Sequence, residues 1–163
     1  MTSLLDFPAR KVFARDISKS IRLRSSEIEE SKKGKIKKKH KEWKVTCNGV
    51  EFSVTVVWIQ GLVSEVRLLH RQINKEEGFL ILDDSTGNVK VTGFNNIPFI
   101  SPSLNTGQYL MVIGSVTRSG DVPVVNAVKL QSLAHVKNAE QSWSLEVMDQ
   151  ILHLGSENDF IRN

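Results

Sequence analysis

Between residues 77 and 133 the chain repeats one pattern twice: an apolar run of strand length, a turn, and a second run of strand length. In the first repeat Phe79, Leu80, Ile81 and Leu82 lead into Asp84, Ser85, Thr86 and Gly87, and Val89, Val91 and Phe94 follow in alternation with polar residues. In the second, residues 108–116 and 122–130 are joined at Ser119, Gly120 and Asp121. Alternation sends successive side chains to opposite faces of a strand, and Asp, Ser and Gly supply turn geometry, so both repeats predict β-hairpins. Upstream, Phe52, Val54, Val56 and Trp58 fall on one face while Ser53, Thr55, Val57 and Ile59 fall on the other, in a pattern that runs past Gly61 to about Leu69. A strand of that length needs a bend, and glycine inside a strand marks a bulge or a barrel corner, so the bend is predicted at Gly61. Five strands at these spacings predict an all-β fold, a five-stranded Greek-key barrel of the OB type. Such barrels bind nucleic acid or sugar across their strand face, or pair with one another.

The flanks predict two helices. Val12, Phe13, Ile17 and Ile21 recur at helical spacing after Pro8, which predicts a short N-terminal helix over residues 9–22 that packs on the barrel. At the other end Asn138 is a cap candidate with Gln141 three residues on, and Gly155 is the expected stop. Residues 95–107, with Pro98 and Pro102, read as a loop. The expected organisation is an N-terminal segment (1–24), a disordered Lys-rich loop (25–41), the barrel with its C-terminal helix (42–154) and a tail (155–163).

At 163 residues the chain fits one domain and no second core is expected. It contains no apolar stretch long enough to span a bilayer, and its N-terminus lacks the apolar core of a signal peptide, so a soluble, intracellular protein with no membrane association is expected. Cys47 is the sole cysteine, which excludes an internal disulfide and a thiolate metal cluster within one chain. The net charge of +4 is unevenly placed: Lys32, Lys33, Lys35, Lys37, Lys38, Lys39 and Lys41 contribute seven charges, and without them the rest carries −3. Backbone phosphates are bound chiefly by cations, so a mildly acidic body argues against strong DNA binding by the barrel. The lysine run itself has three readings that composition leaves open: a solvated loop, a nuclear-import signal, or a non-specific nucleic-acid contact. Any affinity for DNA is expected to come from this run.

Catalytic chemistry finds no support. His40, His70, His135 and His153 show no ligand spacing, Asp83 and Asp84 are better read as turn residues with Gly87 supplying positive φ, and no nucleophile has a base beside it. The expectation is no enzyme activity, no metal and no cofactor. The strand face also reads as bare: the outward set of the third barrel strand is Asn88, Lys90 and Thr92, while Phe52, Trp58, Phe79, Phe94 and Tyr109 mostly fall in phase with the core. In the C-terminal helix Trp143, Val147 and Ile151 form a stripe flanked by Leu145, Met148 and Leu152. That apolar sector is wider than one barrel contact needs, so Trp143, Val147, Met148, Ile151 and Leu152 are expected to meet a partner.

The string from Val57 to Gly61, the block from Asp84 to Gly93 with Ile97 and Pro98 after it, and the segment from Gly107 to Gly114 occur in an order that resembles the RecQ-mediated genome instability protein 2 family. Residues 126–130 and 142–147 extend the likeness, with a weaker echo at residues 8–12 and Trp43. The resemblance covers about residues 50–152 and implies a non-catalytic OB-fold subunit of the nuclear dissolvasome, acting in DNA replication, homologous recombination and repair. It implies pairing with the C-terminal OB domain of RecQ-mediated genome instability protein 1, with topoisomerase III alpha and a Bloom-type RecQ helicase reached through the complex. Lys129, and more weakly Lys11, match family lysines, that at Lys129 contributing to assembly. The Lys-rich insertion departs from the family pattern. The alternative is a single-stranded DNA-binding OB-fold protein.

Overall fold

The computed structural model describes residues 4–23, 40–68, 78–94, 97 and 104–161. Of the expected Lys-rich loop, residues 25–39 lie outside these, as do His70 and most of the expected loop over residues 95–107. The barrel is built by five strands: β5 (Val56–Arg67), β6 (Phe79–Asp83), β7 (Asn88–Thr92), β8 (Tyr109–Arg118) and β9 (Val124–Ser132). They are ordered β5-β6-β7-β9-β8, and β8 also pairs with β5 to close the cylinder. The β7–β9 seam is parallel and the other barrel pairs are antiparallel. This is the OB topology that the hairpin signals predict.

The long strand bends where it changes partners. β5 pairs with β8 from Val56 to Leu62 and with β6 from Leu62 to Arg67, and a register shift follows between Val63 and Glu65. Gly61 stands at the changeover, where a Cβ would lie 2.8 Å from the Asp83 carbonyl oxygen. Inward-facing Val57, Ile59, Val63, Leu80, Leu82, Val89, Val91, Leu110, Val112, Val116 and Val125 fill the cylinder. The expected upstream alternation is interrupted at Thr55, which separates β4 (Val50–Val54) from β5. Val56 and Val57 are both buried, so the inward phase changes there: Val54 faces the barrel core, whereas Trp58 is turned outward.

The N-terminal segment is not the expected single helix. It forms β1 (Ala9–Lys11), parallel to β5, then a five-residue α1 (Ala14–Ser18) and β2 (Ile21–Leu23). Tertiary pairing overrides helical periodicity here: β2, β3 (Glu42–Cys47) and β4 make a second, three-stranded sheet, and a helix through Arg22 would forfeit both strand pairings. The C-terminal helix α2 (Ala139–Ile161) runs past the stop expected at Gly155. Gly155 packs against Val50, its would-be Cβ 3.4 Å from Val50 Cγ2, so the glycine serves close approach to β4. Asn138 has φ +60°, so it precedes the helix in a left-handed conformation.

Candidate functional site

Helix α2 divides into two faces. Trp143, Val147 and Ile151 recur one turn apart and are buried with Phe13 and Cys47, with Val50, Phe52 and Trp58 at the margin. The expectation that this stripe meets a partner is thereby corrected: Trp143 is 3% exposed within the chain itself, because α1, β3 and β4 supply the apolar surface that covers it. The surplus apolar positions lie elsewhere. Leu145 and Leu152, seven residues apart and so on one stripe, are 71% and 67% exposed, and Met148 sits half-buried between the two faces. Of the residues expected to meet a partner, Leu152 is exposed, as is the flanking Leu145, while Met148 packs at the margin of the buried cluster.

Lys11 pins the helix. Its Nζ lies 3.0 Å from Glu146 Oε1 and 4.9 Å from the centre of the Trp58 ring. Its backbone N–H donates to Gln150 Oε1 and its carbonyl accepts from Gln150 Nε2, both at 2.9 Å, so Gln150 continues the outer edge of β1 in place of another strand. Beneath them Trp58 Nε1 donates to Gln60 Oε1 at 3.0 Å, and the Gln60 amide donates to the Tyr109 hydroxyl at 3.4 Å. Burial pushes the Tyr109 phenol above its ordinary range. Neither the Gln150 clamp nor this chain was legible in the sequence, since glutamine carries no positional signal of its own.

Lys129 lies on β9, not on α2, exposed and opposite Ile113 of β8. The β7–β9 pairing covers only Val124 to Asn126, so Lys129 stands on the stretch of β9 whose other edge has no strand partner among the described residues. A cleft of about 390 Å³ opens between the β6–β7 turn and the first turns of α2, lined by Phe13, Arg15, Asp84, Thr86, Glu140, Trp143 and Met148. The carboxylate of Asp84 in it, like that of neighbouring Asp83, is engaged in the turn. Asp83 Oδ1 accepts the Ser85 N–H at 2.8 Å, and Asp84 Oδ1 accepts from the Thr86 N–H, the Thr86 hydroxyl and the Gly87 N–H. The positive φ of this turn falls on Ser85, not on Gly87 as expected, because those carboxylates hold the following amides. Among the described residues no group of three His, Cys, Asp or Glu is placed to hold a metal ion, and no helix is long and apolar enough to cross a membrane.

The strand face needs a second correction. With Leu80 and Leu82 inward, Phe79 is turned outward and half-buried, not in phase with the core. Arg67 and Lys90 both approach its ring, at 5.4 and 4.5 Å from the centroid. Exposed cation–π contacts are worth about 0.5–1 kcal/mol each.

Comparison with known proteins adds to this geometry. The family model for RecQ-mediated genome instability protein 2 matches residues 8–151. The chain is 34% identical over 91 residues to the RecQ-mediated genome instability protein 2 of Gallus gallus, covering 56% of this chain and 62% of that protein. It is 33% identical over 103 residues to that of Bos taurus, covering 63% and 60%. The chain thus spans about three fifths of the length of the curated relatives it matches. Among solved structures it is similar to a chain of the S. pombe Stn1–Ten1 complex, with a TM-score of 0.52 and 17% identity over 71% of this chain and 83% of that one, a likeness of fold.

Proposed function

The chain belongs to the RecQ-mediated genome instability protein 2 family, and on that footing we propose that it is a non-catalytic OB-fold subunit of a nuclear genome-stability complex. In this reading it pairs with the C-terminal OB domain of RecQ-mediated genome instability protein 1. The pair stabilises the Bloom-type RecQ helicase and topoisomerase III alpha assembly that dissolves recombination intermediates. One observation carries the reading: α2 has already spent the Trp143 stripe on its own barrel, yet it presents Leu145 and Leu152 to solvent. Exposed leucines repeating along one stripe of a docked helix fit the apolar stripe of a partner helix laid beside it. Lys11 acts through Glu146 and Gln150 by fixing the orientation of α2, and Lys129 offers an exposed cation on β9.

The test is co-purification with the partner's C-terminal OB domain. The double substitution Leu145→Glu and Leu152→Glu is expected to abolish co-elution while leaving the melting temperature of the isolated chain unchanged, since both side chains are outside the core. Co-elution retained by the folded double variant places the interface elsewhere. Calorimetry of Lys129→Ala is expected to show weaker pairing by about 1.5–3 kcal/mol, the range for a charge-assisted hydrogen bond; unchanged affinity leaves Lys129 as an edge residue that blunts strand pairing.

A further inference from the structure

Helix α2 carries charge of one sign. Between Ala139 and Ile161 its sequence holds Glu140, Glu146, Asp149, Glu157 and Asp159 and no lysine or arginine. Lys11 answers Glu146 from the side of β1, away from the exposed leucines. Asp149 stands among those leucines. It follows Leu145 by four residues and precedes Leu152 by three, so it projects between them on their own stripe. His153 Nδ1 lies 3.8 Å from Asp149 Oδ1, but the two side chains are 75% and 74% exposed, and a pair so exposed is screened by solvent. The apolar stripe that α2 presents outward therefore has an acid set into its middle.

Resting on the pairing through α2 described above, we propose that Asp149 selects what lies on this stripe: a helix of another chain that carries lysine or arginine beside its own apolar row, and not a second copy of this chain. A two-fold copy laid antiparallel on the stripe sets Leu145 of one chain against Leu152 of the other. The axis then falls between Met148 and Asp149, so the two Asp149 carboxylates meet at the centre of the contact and repel. A parallel copy instead lays one acidic helix along another. A partner cation that reaches Asp149 turns this repulsion into a charge-assisted contact while the partner's apolar row covers the leucines. An anionic membrane surface, which also takes up exposed leucines on a helix, attracts basic faces and is repelled by this one. One side chain thus favours the intended occupant and disfavours the chain itself, which is the wrong partner present at highest local concentration during synthesis.

The test has one arm without partner and one with it. In sedimentation equilibrium the full parent chain is expected to stay monomeric to about 100 μM, whereas Asp149→Leu dimerises at least about tenfold more tightly and Asp149→Asn by a smaller margin. Both variants should keep the parent's melting temperature, since Asp149 is outside the core. Adding Leu145→Glu to Asp149→Leu should restore the monomer, which ties the dimer to this stripe. With the C-terminal OB domain of RecQ-mediated genome instability protein 1, the association rate of the parent is expected to fall about tenfold between about 0.05 and 0.5 M salt. Asp149→Lys should bind that domain about tenfold more weakly and with a flatter salt dependence. A parent that dimerises through α2, an Asp149→Leu chain as monomeric as the parent, or partner binding indifferent to Asp149→Lys overturns the proposal. The pairing reading fails separately, and the choice of occupant with it, if the parent does not bind that domain at any salt.

Discussion

The Asp84 carboxylate accepts the backbone N–H of Ala14 at 2.7 Å, a contact between residues 70 positions apart. Phe13 occupies the cap position of α1 and has no acceptor to offer, so the cap is supplied from the β6–β7 turn, where the Thr86 hydroxyl also accepts the Arg15 N–H at 3.2 Å. Helix starts need such acceptors because their first amides have no partner within the helix. Asp84→Ala is therefore expected to lower the unfolding free energy by about 1–3 kcal/mol, read by urea titration, with Asp84→Asn recovering part of the loss through its remaining oxygen. A loss for the alanine below about 0.5 kcal/mol, the level of an ordinary surface substitution, would refute the cap.

Trp143 belongs to the stability of the chain before it belongs to any interface. Trp143→Ala should cost about 3–5 kcal/mol in the isolated protein. Its buried Nε1–H has no acceptor among the described residues, so Trp143→Phe deletes an unsatisfied donor and should cost much less. Thermal melts of both variants without partner decide the matter: an alanine variant as stable as the parent would return Trp143 to the interface.

The two contacts that tie β1 to α2 should differ in weight. Gln150 makes two part-buried bonds to the Lys11 backbone, whereas Glu146 is 39% exposed and its ion pair with Lys11 is screened by solvent. Gln150→Ala is expected to destabilise by about 1–3 kcal/mol and Glu146→Gln by less than about 1 kcal/mol. The reverse order in denaturant titrations would show that the charge, not the amide clamp, holds the helix.

Asp16, buried in α1, should give stability a pH slope. Burial raises its pKa above the usual 3.8, against the hydrogen bond from the Cys47 thiol and the charge of Arg15. A raised native value means that its contribution is complete below the unfolded pKa and is lost as pH rises through the native one. Asp16→Asn is expected to stabilise the chain at pH 7, with the gain shrinking toward pH 4; equal gains at both would remove Asp16 as the cause. Burial and the adjacent carboxylate push the Cys47 thiol up to about 12, so native Cys47 should resist alkylation at neutral pH until the chain unfolds.

The barrel was legible because its strands carry their signals locally: alternation at Val89 and Val91, a turn at Asp84 to Gly87, a glycine corner at Gly61. The N-terminal segment was not. The spacing of Val12, Phe13 and Ile17 is helical, but β1 exists because Trp58 and its neighbours on β5 lie alongside, and that partner is invisible to a local window. Phe79 is an exception among aromatics read as mostly in phase with the core: in a run of four apolar residues period alone does not say which are inward, and the burial of Leu80 and Leu82 settles it. On α2 the width of the apolar sector was read correctly, but which stripe the barrel takes depends on Phe13 and Cys47, which come from two other elements.

The Gln150 clamp on Lys11 joins residues 139 positions apart. Loop closure over such a separation makes a contact slow to form, because its entropic cost precedes any gain from the contact. The orientation of α2, and with it the outward leucines, is thus among the last features to appear. Under the pairing proposed above, a chain in which Lys11 and Gln150 have not yet met has no assembled docking face to offer, and the order of folding itself gates entry to the complex.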